Sequence, residues 1–168
     1  NLAPNKSITI ANGVTLNSAS DISLKATTSG ISAAGALTLT APSSITLTGN
    51  LTAAGAVDLT ANSGITLNSN ITTSSASSLN INANSSTLSL ASGVVLSSAG
   101  ALTLAASNTN SLGNLTLTST GSTVNINSAL TSTGAVAMTA NSGLNLNNST
   151  LTGAGDITLQ GGTGLTLA

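Results

Sequence analysis

Residues 35–67 read GALTLTAPSSITLTGNLTAAGAVDLTANSGITL, and their layout decides the fold. Leu37-Thr38-Leu39 and Ile45-Thr46-Leu47 are apolar–polar–apolar triplets, and Val57-Asp58-Leu59 and Ile65-Thr66-Leu67 repeat them 20 residues later. A period of two puts one side chain of each pair on a buried face and the next in solvent, which is a short half-buried strand. Thr, Ser, Asn and Gly are poor helix formers and no 3.6-residue period is present, so helix is a weak competitor.

The same unit runs outward in both directions as three families of strand. The first follows Gly-Ala or a similar small pair and begins at Leu37, Val57, Leu79, Leu102, Leu115, Val136 and Ile157, with Ile22 placed alongside. The second begins at Ile8, Ile45, Ile65, Leu88, Val124, Leu144 and Leu165. A third, often a single apolar residue, is Val14, Ile31, Leu51, Ile71, Val94, Leu130 and Leu151. One circuit takes 20 to 23 residues, as from Leu37 to Val57 or from Leu79 to Leu102. Three short strands in a period of that size predict an all-β, right-handed parallel β-helix, a single β-solenoid over residues 1–168. A lone coil cannot stand, because its strand edges are unpaired and its few aliphatic side chains do not offset ordering some twenty residues. Stacking at ~4.8 Å supplies the missing partners and sets Leu37 and Leu39 beside Val57 and Leu59.

Ala61-Asn62-Ser63-Gly64 and Ala140-Asn141-Ser142-Gly143 read as one recurring corner, with Ala83-Asn84-Ser85-Ser86 as its variant. Asn and Gly tolerate positive φ, and Asn at equivalent corners is expected to form stacked amide ladders inside or beside the core. Irregular coils are expected near 25–30 and 105–114, where the second strand is missing from the pattern between Ile22 and Ile31 and between Leu102 and Leu115. Both ends read as bare coils, so an excerpt of a longer array, or a subunit meeting an identical chain end to end, is expected.

Composition narrows the chemistry. The chain has no His, Cys, Trp, Tyr or Phe, and only Lys6, Lys25, Asp21, Asp58 and Asp156 are charged. A net charge of −1 cannot neutralise phosphates, so no nucleic acid is expected as partner. No apolar run approaches the ~20 residues of a spanning helix, and no membrane insertion is expected. Glycan cleavage needs two carboxylates within ~5–10 Å, whereas Asp58 and Asp156 fall about five coils apart. Calcium needs several carboxylates or carbonyls at one place. The expectation is therefore no enzyme, no catalytic, cofactor-binding or metal-ligating residue, and no cofactor.

Two outer patterns remain. Thr38/Thr40, Thr46/Thr48 and Thr116/Thr118, with Thr66, Thr103 and Thr158, suggest a Thr array that could order water and bind ice. Asp58, Asn80, Ser89, Asn125 and Asn145 interrupt it, and β propensity explains strand Thr by itself. Glycan-acceptor sequons include those at Asn5, Asn70, Asn84, Asn114, Asn147 and Asn148. With 28 Ser, 28 Thr and 20 Asn in the chain, such matches arise by chance and turn chemistry is the better reading.

Gly-Ala-Leu-Thr-Leu-Thr-Ala (35–41), the 55–67 stretch and Gly-Asp-Ile-Thr-Leu (155–159) together resemble the repeat region of filamentous haemagglutinin-type bacterial exoproteins, exported by two-partner or autotransporter routes. The resemblance covers nearly all 168 residues and is one of architecture. It implies a right-handed β-helical shaft, extracellular or on the bacterial cell surface, serving adhesion, aggregation or biofilm. Any host-cell or glycan receptor would then be met by parts outside this chain. The secretion-domain motifs of that family are not evident here, so no functional residue carries over.

Overall fold

The computed structural model describes residues 7–27, 29–74, 76–147 and 149–168. Within them the chain is all-β: short strands, every pairing parallel, stacked as a solenoid of about eight coils. Each coil has three faces, named I, II and III in chain order. Coil 2 shows the plan, with Gly30–Ala33 on face I, Leu37–Ala41 on face II and Ser44–Thr48 on face III.

The expected alternation is present. In Leu37–Ala41 the residues are buried at Leu37, Leu39 and Ala41, while Thr38 is half-buried and Thr40 exposed. Leu37 lies beside Val57 and Leu39 beside Leu59. One apolar cluster runs from Ile8 to Leu146, built from Leu, Ile, Val, Ala and one Met. Face II carries an unbroken column: Val14, Leu37, Val57, Leu79, Leu102, Val124, Leu144 and Leu165.

The family assignment slips by one face in the second half. Val136 does not share a column with Leu37 and Val57; it lies between Leu115 and Ile157 on face I. Val124, Leu144 and Leu165 continue the Leu102 column, and Leu130 and Leu151 belong to face III. At the other end Ile22 pairs with Ile45, Val14 with Leu37 and Ile8 with Ile31. Neither irregular coil loses a strand. Val14 and Ile22 supply faces II and III of coil 1, whose face III strand ends at Lys25 before face I of coil 2 begins at Gly30. In coil 5 the strand Leu102–Ser111 runs on around the corner, with a register shift between Ala105 and Asn108, and its second half is face III. Thr109 and Ser111 are the inward residues there, so the apolar pattern alone passes over that strand.

The slip has a packing cause. Coil 3 buries one large aliphatic residue from face I (Leu51), two from face II (Val57, Leu59) and two from face III (Ile65, Leu67). Coil 6 buries two from face I (Leu115, Leu117), two from face II (Val124, Ile126) and one from face III (Leu130). Each set amounts to five side chains, each contributing ~1.5–3 kcal/mol of transfer free energy. From coil 2 onward the double–double–single rhythm persists, starting on face II before coil 5 and on face I after it, whereas coil 1 carries two on every face. The eight-residue leg moves with it, from Leu37→Ile45 and Val57→Ile65 to Val136→Leu144 and Ile157→Leu165. Followed by column, the leg from face III to face I is nine residues at Ile22→Ile31, six at Ile45→Leu51 and Ile65→Ile71, and eight at Leu88→Leu96 and Leu130→Met138, where Val94 and Val136 are added inward residues.

The Ala-Asn-Ser-Gly corner consequently occupies two edges of the prism. Ala61–Gly64 joins face II to face III, while Ala140–Gly143 joins face I to face II. Both use the same pair of bonds to the coil before. Asn62 and Ser63 N–H donate to the carbonyls of Ala41 (3.3 Å) and Ser43 (3.0 Å), and Asn141 and Ser142 donate to Ser119 and Ser122 (2.9 Å each). A corner motif encodes a local bend, and the same bend serves any edge.

Candidate functional surface

Along the rod the core is filled, so contact with another molecule on its sides is made by outward side chains; in the last coil the inward Ile157, Leu165 and Leu167 are exposed. Each face presents them as columns, one residue per coil, ~4.8 Å apart.

On face II the column is Thr15, Thr38, Asp58, Asn80, Thr103, Asn125, Asn145 and Thr166. Its amides bond to one another: Asn80 Nδ2 donates to Asp58 Oδ1 at 2.6 Å, and Asn145 Nδ2 to Asn125 Oδ1 at 2.8 Å. Asn147 donates likewise to Asn127 at 2.9 Å, and Asn84 to Asn62 at a corner. The amide bond expected at equivalent corners is made by Asn84 and Asn62, while those of Asn80 with Asp58 and Asn145 with Asn125 stand along the strands of face II, outside the aliphatic core. Asp58 is the acceptor end of one, with an amide facing it from the next coil.

The sequons are absorbed by the same chemistry. Asn70 Oδ1 accepts from Val95 N–H (2.8 Å) and Asn114 Oδ1 from Ala135 N–H (3.0 Å), while Asn84 and Asn147 donate in the ladders above. Asn5, Asn148 and Lys6 lie outside the described residues.

The Thr pairs do not share a face. Thr38/Thr40 stand on face II, Thr46/Thr48 on face III and Thr116/Thr118 on face I. Face I carries a hydroxyl column that sequence reading missed: Thr9, Ser32, Thr52, Thr72, Ser97, Thr118 and Thr139, ending at Gln160. These residues belong to different families in the linear pattern, and only the face assignment aligns them.

The aspartates are spread along the rod. Asp21 precedes face III of coil 1, Asp58 is on face II of coil 3, and Asp156 precedes face I of coil 8, so Asp21 and Asp156 also sit at different edges. Among the described residues no three His, Cys, Asp or Glu lie together. Asp21 Oδ1 accepts from Ser44 Oγ (2.6 Å) and Ser44 N–H (2.9 Å), which tie coil 1 to coil 2. These bonds from Ser44, helped by Ser43 and opposed weakly by burial, lower its carboxyl from 3.8 to about 2. A lowered folded value means the carboxylate stabilises the fold above about pH 4 and loses that effect as pH falls through about 2. The melting temperature is expected to drop over that window, and Asp21→Asn to flatten the drop. An unchanged acid profile in that variant counts against the linkage.

An open groove of about 520 Å³ follows the corner from face III to face I in coils 1–3, lined by residues that include Thr27, Gly30, Gly49, Asn50 and Ser69. Its polar atoms bond to neighbouring coils: Ser69 Oγ donates to the Gly49 carbonyl (2.9 Å), and Asn50 Oδ1 accepts from Asn70 N–H (3.2 Å).

Comparison with family models, with curated proteins and with solved structures finds no match. The fold is a parallel β-solenoid. That conclusion stands on the register of its strands alone.

Proposed function

We propose that this chain is a structural segment of the shaft of a bacterial cell-surface or secreted filamentous adhesin, with a mechanical role in place of a catalytic one. The supporting observation is the uniformity of the stack. Coils 2, 3, 4 and 6 each bury five large aliphatic side chains and coils 1, 5 and 7 bury four, inside parallel ladders, although the faces that supply them change. Such a rod gains ~4.8 Å per coil, so about eight coils give ~35–40 Å of stiff, nearly uncharged shaft. Axial load is shared by three hydrogen-bond ladders at once. Partners are adjacent coils, in the same or an identical chain, and a receptor is engaged elsewhere in the parent fibre.

Two measurements test this reading. A broad-specificity protease under native conditions is expected to leave the rod intact over times that digest an unfolded control, because cleavage requires backbone that the ladders hold. Rapid digestion argues against a load-bearing shaft. Electron microscopy of the isolated chain is expected to show single short rods; long filaments instead favour a self-assembling subunit. The ice-binding alternative needs a two-dimensional array on one flat face, and the Thr pairs that suggested it are divided among three faces. Thermal hysteresis in the isolated chain would restore it.

A further inference from the structure

We infer that the joint between coils 4 and 5 is a yielding point built into the rod, at which the solenoid opens before its other interior joints. Thin pairing, a broken aliphatic column with the hydroxyls that line it, and backbone strain meet there.

Ladder pairing on face I is thinnest at this joint. Only Ile71–Leu96 and Thr72–Ser97 pair across it, whereas Val94 to Ser98 all pair across the next joint with Leu115 to Ser119. Face I gains two residues in coil 5, so Ile71 and its partner Leu96 are 25 residues apart. The Val95 N–H, left without a backbone carbonyl beneath it, is taken by the Asn70 side chain.

The aliphatic columns break at the same place. On face III the inward series Ile65, Leu88 and Leu67, Leu90 passes to Thr109 and Ser111. Coil 5 therefore buries four large aliphatic residues, Val94, Leu96, Leu102 and Leu104, where its neighbours bury five.

Hydroxyls take the vacated face III positions at Thr109 and Ser111, and on face I they replace the small Ala33 and Ala53 of the earlier coils at Thr73 and follow at Ser98. All seven buried polar side chains among the described residues fall in coils 4–6, Thr73, Ser98 and Thr109 among them. Across the joint Ser98 donates to the Ser77 carbonyl at 2.7 Å and Thr73 to Ser98 Oγ at 3.3 Å, while Thr109, seated on Leu88, shares its hydroxyl bond of 2.9 Å with Ser128 of coil 6. Water can replace such bonds at little net loss, unlike buried aliphatic contact.

Backbone strain adds to this on the coil 4 side. Ala76 (φ 57°) and Asn84 (φ 48°) are the only non-glycine residues with positive φ among those described, and both lie in the corners of coil 4. Ala in this region is strained, and opening the joint releases it.

In a solenoid each coil is held only by its neighbours, so the weakest interface sets where interior opening begins. The joint opens first whatever the rod is used for.

Hydrogen exchange of the whole chain, followed by mass spectrometry in rising urea, tests this. Amides that bond across the joint, such as Leu79 to Ala101, Ala83 to Ala105 and Gly100 to Ser77, are expected to exchange about 10-fold faster than Leu37 to Ala56 or Leu115 to Ala135. Ala76→Gly, and separately the pair Thr109→Val with Ser128→Ala, are expected to slow exchange at the joint and leave coils 2 and 3 unchanged. Joint amides that exchange in step with those of coils 2 and 3 at every urea concentration overturn the inference. So does slowing that is equal everywhere in both variants.

Discussion

Leu59→Ala is expected to lower unfolding free energy by ~2–5 kcal/mol, the range for emptying a fully packed aliphatic site. Leu59 is 1% exposed and lies between Leu39 below and Ile81 above. Truncation removes contact with both neighbours at once and leaves a void that two hydrogen-bonded coils cannot easily close. Because a solenoid's stability is a sum over interfaces, the loss appears at the joints of coil 3 with both coil 2 and coil 4. Thr52→Ala, an exposed outward position in the same coil, is the matched control and is expected to change stability by no more than ~0.5 kcal/mol. Urea denaturation of the two variants side by side decides it; similar midpoints would mean that the aliphatic columns do not carry the stack.

Gly49→Ala is expected to cost ~2–4 kcal/mol, combining an unfavourable backbone conformation with a collision between coils. Gly49 has φ 104°, a region that L side chains rarely enter. A Cβ built on it runs into the Ala26 carbonyl oxygen in the coil before. The Ala26 N–H donates to the Thr48 carbonyl at 2.8 Å, so the corner cannot retreat without stretching a ladder bond. Gly13→Ala separates the two contributions. Gly13 has φ 71°, but nothing lies within 4 Å of a Cβ placed there, so strain alone acts and ~1–2 kcal/mol is expected. Equal losses in both variants would show that the close approach of coils at Gly49 contributes nothing.

Strand positions, the inward–outward alternation and the three-strand coil were all legible along the chain, because each depends on a period of two within a few residues. Leu37, Leu39, Val57 and Leu59 needed no further information to be placed. Thr109–Ser111 was invisible, since a strand with hydroxyls on its inner side has no apolar signature. From that one omission every later face was misnumbered, although each later triplet was found. The corner motif compounded the error, because Ala61–Gly64 and Ala140–Gly143 bend the chain alike at different edges.

The outer surface was legible only as composition. Amide bonding at the corners could be anticipated from their recurring Asn, but the partners on face II, Asn145 with Asn125 and Asn80 with Asp58, depend on which residues stack. The same holds for the face I hydroxyl column and for the separation of the three Thr pairs.

The amino-acid order by itself determined that this chain is a stack of parallel coils with an aliphatic interior, because local alternation and a 20–23-residue period admit few other ways to bury those side chains. Only the tertiary structure decided which face each triplet occupies, where the rod changes its long side and which polar groups meet outside. Those features are set by contacts between coils some twenty residues apart, where a single hydroxyl-lined strand is enough to shift the register of all that follows.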